Sequence, residues 1–213
     1  MEDRITPGLY LEMTNLPLEE YASVRVGQVL ALPHVDRASW WRNQKPDRKE
    51  FPRTLPEFTT LGIYEVGLDF SAPRTPSGVT GHHFRHYRRP GQGTLSGKPT
   101  LGLELVLISP KTPAGAQALR DWADFIHIRY IAAANPPGFT MITPYENVTG
   151  GKPRFMHFYE MDTPDAEPTF REMTPATQKL IGASGPLFDE WKNHEELSID
   201  YVNTFTRVGA KDR

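Results

Sequence analysis

Apolar and polar positions along this chain fall into two series of segments that follow the same order. Gly8-Leu9-Tyr10-Leu11-Glu12 and Gly102-Leu103-Glu104-Leu105-Val106 are apolar strand patterns carrying one or two polar residues. Each leads into a recurrence at helical spacing, over about 18–32 and about 114–134, that a proline stops. Strand patterns around Arg37-Ala38-Ser39-Trp40-Trp41 and Thr140-Met141-Ile142-Thr143 come next, entered through Pro33-His34-Val35 and Pro137-Gly138-Phe139. The segments 61–66 and 155–161 then place Tyr-Glu at the same point of a strand. Strand, helix, strand, strand is therefore predicted twice.

The spacings locate the differences between the halves. Gly8 and Gly102 lie 94 apart, Pro33 and Pro137 lie 104 apart, and Tyr64 and Tyr159 lie 95 apart. The excess in the first half includes residues 44–58, rich in Lys, Arg and Pro, which read as an exposed loop or as a lid over a pocket. The second half continues with a helix over 165–181, interrupted by Pro175, and an alternating strand over 197–208. That completes a β-α-β-β-α-β, ferredoxin-like unit. In the first half the matching stretch, 69–81, holds Pro73, Pro76, Gly78 and Gly81 and is expected to have lost its helix. Residues 82–89 are its last strand. The expected fold is α+β, with two ferredoxin-like units in tandem, the first degenerate: residues 1–90, a linker over 91–100, and residues 101–213.

Composition narrows the chemistry more than the architecture. With 213 residues the chain is one large domain or two small ones at roughly 100–200 residues each. A formal net charge of −2 supplies no basic field for a nucleic-acid backbone, and no apolar run is long enough to span a membrane. The start, MEDRITPG, has neither a basic beginning nor an apolar run, so a cytoplasmic protein without a signal peptide is expected. Cysteine is absent, which excludes disulfides, thiolate nucleophiles, iron–sulfur clusters and cysteine-containing zinc sites. Chemistry falls to His, carboxylates, Tyr, Lys, Arg, hydroxyls or a borrowed cofactor.

Two such units in this order resemble the dimeric α/β-barrel superfamily, in which two four-stranded sheets face each other around an enclosed pocket. The resemblance is nearest to the EthD-like group. Its pattern of Trp-Tyr-Asp, two residues, His and an apolar residue, then Pro-Gly-Phe, is matched by Trp122, Asp124, His127, Ile128 and Pro137-Gly138-Phe139, with Ala123 in place of Tyr. The first half keeps Tyr21 but has Arg25 at the histidine position. The resemblance implies one barrel formed by the two halves of a single chain, alone or as a homodimer. It leaves the activity open among cofactor-free monooxygenases, cyclases, decarboxylases, dehydratases, haem enzymes and proteins without a reaction.

The residues offer several candidate catalytic groups. Leu119, Trp122, Ala123, Ile126, Tyr130 and Ala133 form an apolar helical stripe with His127 at its edge, one turn after Ala123. Asp124, three residues earlier, could hold the imidazole in one tautomer and raise its basicity, as a general base requires. The alternative is a histidine satisfied by its helical neighbour, with no task. His157 and Tyr159 share one strand face, and Tyr201 and Asn203 share another, so both pairs could reach a pocket or serve as core packing. Arg25, Trp40 and Tyr130 are further candidates for substrate contact. His82, His83 and His86 tempt a metal reading, but on a strand only His82 and His86 share a face, and no metal site is expected.

The expected function is a cofactor-independent enzyme acting on a hydrophobic, aromatic or phenolic small molecule. His127, Asp124, Tyr201 and His157 are its candidate catalytic residues, and lyase or decarboxylase chemistry is preferred over cyclase or monooxygenase chemistry. A haem enzyme and a small-molecule-binding protein without a reaction are the alternatives.

Overall fold

The computed structural model describes residues 6–213. In chain order the strands are β1 (Gly8–Thr14), β2 (Val35–Asn43), β3 (Thr60–Val66), β4 (Val79–His86), β5 (Gln92–Gly93), β6 (Gly102–Pro110), β7 (Phe139–Asn147), β8 (Phe155–Met161) and β9 (Leu197–Asp212). Helix α1 is built from Leu18–Glu20, a π-helical turn Tyr21–Arg25 and Val26–Leu30. Helix α2 repeats this plan with Ala116–Trp122, a π-helical turn Ala123–His127 and Ile128–Ala134. Helices α3 (Ala166–Ile181) and α4 (Pro186–Lys192) complete the set.

The strands run β4-β1-β3-β2-β9-β6-β8-β7, all neighbours antiparallel, and β4 pairs with β7 to close an eight-stranded barrel. Within the first four strands the order is fourth, first, third, second, and the last four repeat it. Two seams join the sets, β2 against β9 and β4 against β7. Closure removes the exposed edges that two open sheets would carry. The first set has no second helix, since residues 67–78 are irregular, whereas α3 continues through Pro175. Residues 92–93 of the linker are a short strand on β7 rather than free chain. Helix α4 has no counterpart in the sequence-based reading, although Gly185 followed by Pro186 at its first turn is a helix-start signal.

Alternation along each strand separates an inner from an outer face. Leu11, Ile63, Phe84, Leu105, Phe158 and Phe205 belong to the cluster that fills the barrel. The outer face carries the helices, with Tyr10 and Tyr64 under α1 and Tyr159 under α2 and α3. An enclosed pocket between the sheets is therefore not what forms. The barrel axis is packed with side chains, and the large cavity lies outside the barrel, beneath helices.

Candidate functional site

A cavity of about 430 Å³ separates the outer face of β6, β8 and β9 from helices α2, α3 and α4. That volume lies within the range of roughly 300–1,000 Å³ typical of small-molecule sites. Glu104, His157, Tyr159 and Val202 stand on the sheet wall, and Trp122, His127, Met173 and Trp191 on the helix wall. Phe51, from the 44–58 segment, closes one side and meets Phe170 edge-on with centroids 6.0 Å apart. Much of this segment is exposed, as expected of a loop, but it is anchored at Arg48 and Phe58. Arg48 is buried, donates to Asn203 Oδ1 at 3.1 Å, pairs with Glu167 and lies over the Phe170 ring.

The first four strands form the same frame, and there it is filled. Tyr21 opens the π-helical turn of α1, as Ala123 opens that of α2. Across the sheet, Glu12 pairs with Gly62 and Tyr10 with Tyr64, where Val106 pairs with His157 and Glu104 with Tyr159. The Tyr21 hydroxyl occupies the space that a Cβ on Gly62 would need. It contacts the Tyr64 hydroxyl at 2.6 Å and donates to Glu12 Oε2 at 3.0 Å. Exchanging a tyrosine and a glycine for Ala123 and His157 removes this plug and places an imidazole at the opened position. Volume deleted at the helix is what leaves the cavity.

His127 ends the π-helical turn of α2, with its ring between Trp122 and Trp191 at centroid distances of 5.1 and 5.4 Å. Its Nδ1 lies 2.9 Å from the Trp191 carbonyl, an acceptor that can only be served by an N–H. Burial lowers the imidazole to about pKa 4, the Trp191 hydrogen bond opposing, so the ring is neutral near pH 7. Nε2 is then the nitrogen with the lone pair, and it has no partner among the described residues. Asp124 does not orient this ring. Its Oδ2 accepts from Arg89 at 2.8 Å, and its Oδ1 lies 3.4 Å from His157 Nε2. Burial pushes the Asp124 carboxyl up, but His157 and Arg89 outweigh it and hold the group below the usual carboxylate range. The carboxylate thus pairs with Arg89 and faces His157 from helix α2.

Glu104 escaped the sequence-based site search, although a lone acid in the run Gly-Leu-Glu-Leu-Val was a signal for it. It is 4% exposed, and its Oε2 has no hydrogen-bond partner. Burial raises its carboxyl to about pKa 8, Arg48 opposing and Glu167 assisting. Burial also raises the neighbouring Tyr159 phenol well above 10, with Glu104 and Asp124 adding to it.

No protein-family model matches the chain, and no curated protein matches it. Its structure is similar to that of an anthrone oxidase-like protein, with a TM-score of 0.57, 13% identity and coverage of 96% of this chain and 92% of that one. A protein from Lactobacillus acidophilus described as a monooxygenase gives a TM-score of 0.53 at 9% identity, covering 98% and 97%. A mutant chlorite dismutase from Candidatus Nitrospira defluvii gives 0.54 at 11% identity, covering 97% and 93%. The fold is that of the dimeric α/β barrel. At such identities the likeness carries architecture alone.

In this dimeric α/β barrel, the residues singled out from the sequence scatter. His127, His157 and Tyr159 line the cavity, and Asp124 faces His157 from helix α2. Tyr201 and Asn203 turn inward instead. A bulge in β9 leaves Asp200 without a partner on β6, so Ile199 and Val202 take the outer face and Tyr201 and Asn203 the inner one. Tyr201 donates to Glu57 and stacks on Phe58, and Asn203 donates to the Lys45 carbonyl at 2.9 Å. Arg25 donates to buried Glu12 at 2.6 Å beneath α1. Trp40 packs on the first half, and Tyr130 packs beside the cavity without lining it. His82 and His86 face inward toward Phe84 and Tyr145, with His83 outward against Phe70. Among the described residues, no three His, Asp or Glu groups converge on a metal position. No described helix is long and apolar enough to cross a membrane.

A haem does not fit this lining. Its two carboxylates call for cationic partners, and Lys192 is the one Lys or Arg among the lining residues, with Glu104 on the opposite, sheet wall. The His127 ring is moreover stacked at 11° to Trp191, within a Trp–His–Trp sandwich.

Proposed function

We propose that the chain is an enzyme for a hydrophobic, aromatic or phenolic small molecule bound in the cavity beneath α2, α3 and α4. His127 acts in it as the proton acceptor. The observation that carries this reading is the neutral imidazole, with Nδ1 committed to the Trp191 carbonyl and Nε2 left without a partner in an apolar, aromatic-walled cavity. Removal of a proton from an activated C–H or phenol O–H would leave an anion delocalised over the ring. Such an anion can be oxidised directly by dioxygen, as a ring CH₂ becoming C=O with release of water. Oxidase and monooxygenase are the activities named for two proteins that share this fold, and the chemistry proposed here is of that class. The decarboxylase reading needs an anionic acid as substrate. It is disfavoured by the acid Glu104 on the sheet wall, Lys192 on the helix wall being the one Lys or Arg among the described lining residues.

The same proposal reads the chain as two ferredoxin-like halves, 1–90 and 101–213, of EthD-like kind, supported by the repeated strand order. Because the barrel closes within one chain, a homodimer is not needed to complete the cavity. The test is oxygen uptake with anthrone as probe, measured above the buffer rate for wild type and for His127→Asn. Catalysed uptake with formation of the quinone is expected, falling about 100-fold or more in the variant, the usual worth of a general base. An unchanged rate in the variant would remove His127 from the mechanism.

A further inference from the structure

We propose that Glu104 serves the cavity as a neutral carboxylic acid that donates its hydrogen bond to a carbonyl oxygen, so that the ligand is an uncharged aromatic ketone rather than an aromatic acid. The inference rests on the cavity being an aromatic-ligand site, as proposed above, and names the chemistry of its sheet wall.

Placement comes first. Glu104 points from β6 to the outer face, between Tyr159 on β8 and Thr204 on β9. The side chain lines the cavity, is almost wholly buried, and keeps Oε2 without a partner. An ionised carboxylate left unpaired in such surroundings is costly, and taking up a proton is the less expensive state. The charged groups nearest to it are Arg48 of the 44–58 segment and Glu167 of α3, which act in opposite directions. Arg48 gives its Nε to Asn203 and pairs with Glu167, leaving its buried Nη1 without a hydrogen-bond partner, and Glu167 pairs also with Arg171; among the described residues neither makes a hydrogen bond or ion pair with Glu104. The remaining titratable groups on the cavity are His127, neutral near pH 7, Tyr159, which burial keeps protonated, His157, held against Asp124, and Lys192.

A protonated carboxyl facing apolar and aromatic walls offers a donor to an acceptor-only oxygen. A carboxylate ligand would put its charge against the same group with no cation on the sheet wall. The arrangement also suits the chemistry assigned to His127, which stands on the opposite, helix wall. When the acidic C–H bond conjugated with the carbonyl breaks, its proton goes to Nε2, its electron pair enters the conjugated ring system as the enol forms, and the carbonyl oxygen gains the Glu104 proton.

Three ligands of one ring system test this by calorimetry on the intact protein: 9-fluorenone, fluorene without the oxygen, and fluorene-9-carboxylate. At about pH 6.5 fluorenone is expected to bind about tenfold or more tightly than either of the others, the worth of a satisfied buried donor. Between about pH 6.5 and about pH 9.5 its advantage over fluorene is lost as the proton leaves Glu104, while fluorene itself binds unchanged. Glu104→Gln keeps a donor and is expected to bind fluorenone without that pH dependence. Glu104→Leu, which suits an apolar strand, is expected to bind fluorenone no better than fluorene at any pH. Equal binding of fluorenone and fluorene by wild type, a flat pH profile, or preference for the carboxylate overturns the assignment of Glu104 and leaves the aromatic cavity standing. Failure of all three to bind overturns both readings.

Discussion

His127 is held neutral in the folded protein, and this links the candidate base to stability. Folded, the imidazole titrates at about pKa 4, because burial disfavours its charged form, while its ordinary value is 6.5. Between those values the unfolded chain binds the proton and the folded chain does not, so stability rises with pH there and is lost as pH falls from 6.5 toward 4. The loss works out at about 2 kcal/mol by about pH 5 and about 3 kcal/mol below pH 4, at roughly 1.36 kcal/mol per pKa unit. For a chain of this length about 2 kcal/mol corresponds to a fall of about 4–8 °C in Tm. His127→Phe keeps an aromatic ring between Trp122 and Trp191 but cannot titrate. Its stability at pH 7.5 will differ from wild type through the lost hydrogen bond to Trp191. The quantity to compare is the change in each protein between about pH 7.5 and about pH 5, measured by urea unfolding. His83, which burial also lowers to about 4, is common to both proteins and cancels. The variant should lose about 2 kcal/mol less than wild type over that interval. Equal losses would mean that the ring is not held neutral, and the assignment of Nε2 as its lone-pair nitrogen would fall with it.

Two further outcomes follow from the buried polar groups. Asp124→Asn leaves the Arg89 guanidinium with Asp121 alone and His157 without its carboxylate, and is expected to cost about 2–3 kcal/mol in thermal or urea unfolding. A loss under about 0.5 kcal/mol would show the cluster to be solvated. Tyr21→Ala should cost about 3–5 kcal/mol and open beneath α1 the counterpart of the cavity beneath α2. A rise in Tm on adding indole, absent in wild type, checks that the space is real, and no such rise would mean that the first half has collapsed onto it.

Much of the architecture was legible along the chain. Period-two and helical patterns in repeated order located eight barrel strands and the helices α1, α2 and α3 to within a few residues. Pro73, Pro76, Gly78 and Gly81 foretold the missing helix, because their backbones cannot sustain one. Helix α4 was not legible, since seven residues carry too little periodicity, yet it supplies Trp191 to the site.

The sequence by itself determined that His157 and Tyr159 share a strand face and that one histidine sits at the edge of the helix stripe, because both follow from local backbone periodicity. It could not say which face of the sheet is hollow. Alternation assigns residues to the same side or to opposite sides, never to inside or outside, and both faces of this barrel are buried. The unpaired residue at Asp200 changed which β9 side chains face inward, and a bulge is decided by pairing with β6, a partner far along the chain. Tertiary packing also separated Asp124 from His127 and left Glu104 without a counter-ion. Those outcomes depend on which groups are brought together away from water, and that is set when Ala123 leaves open the space that Tyr21 fills in the other half.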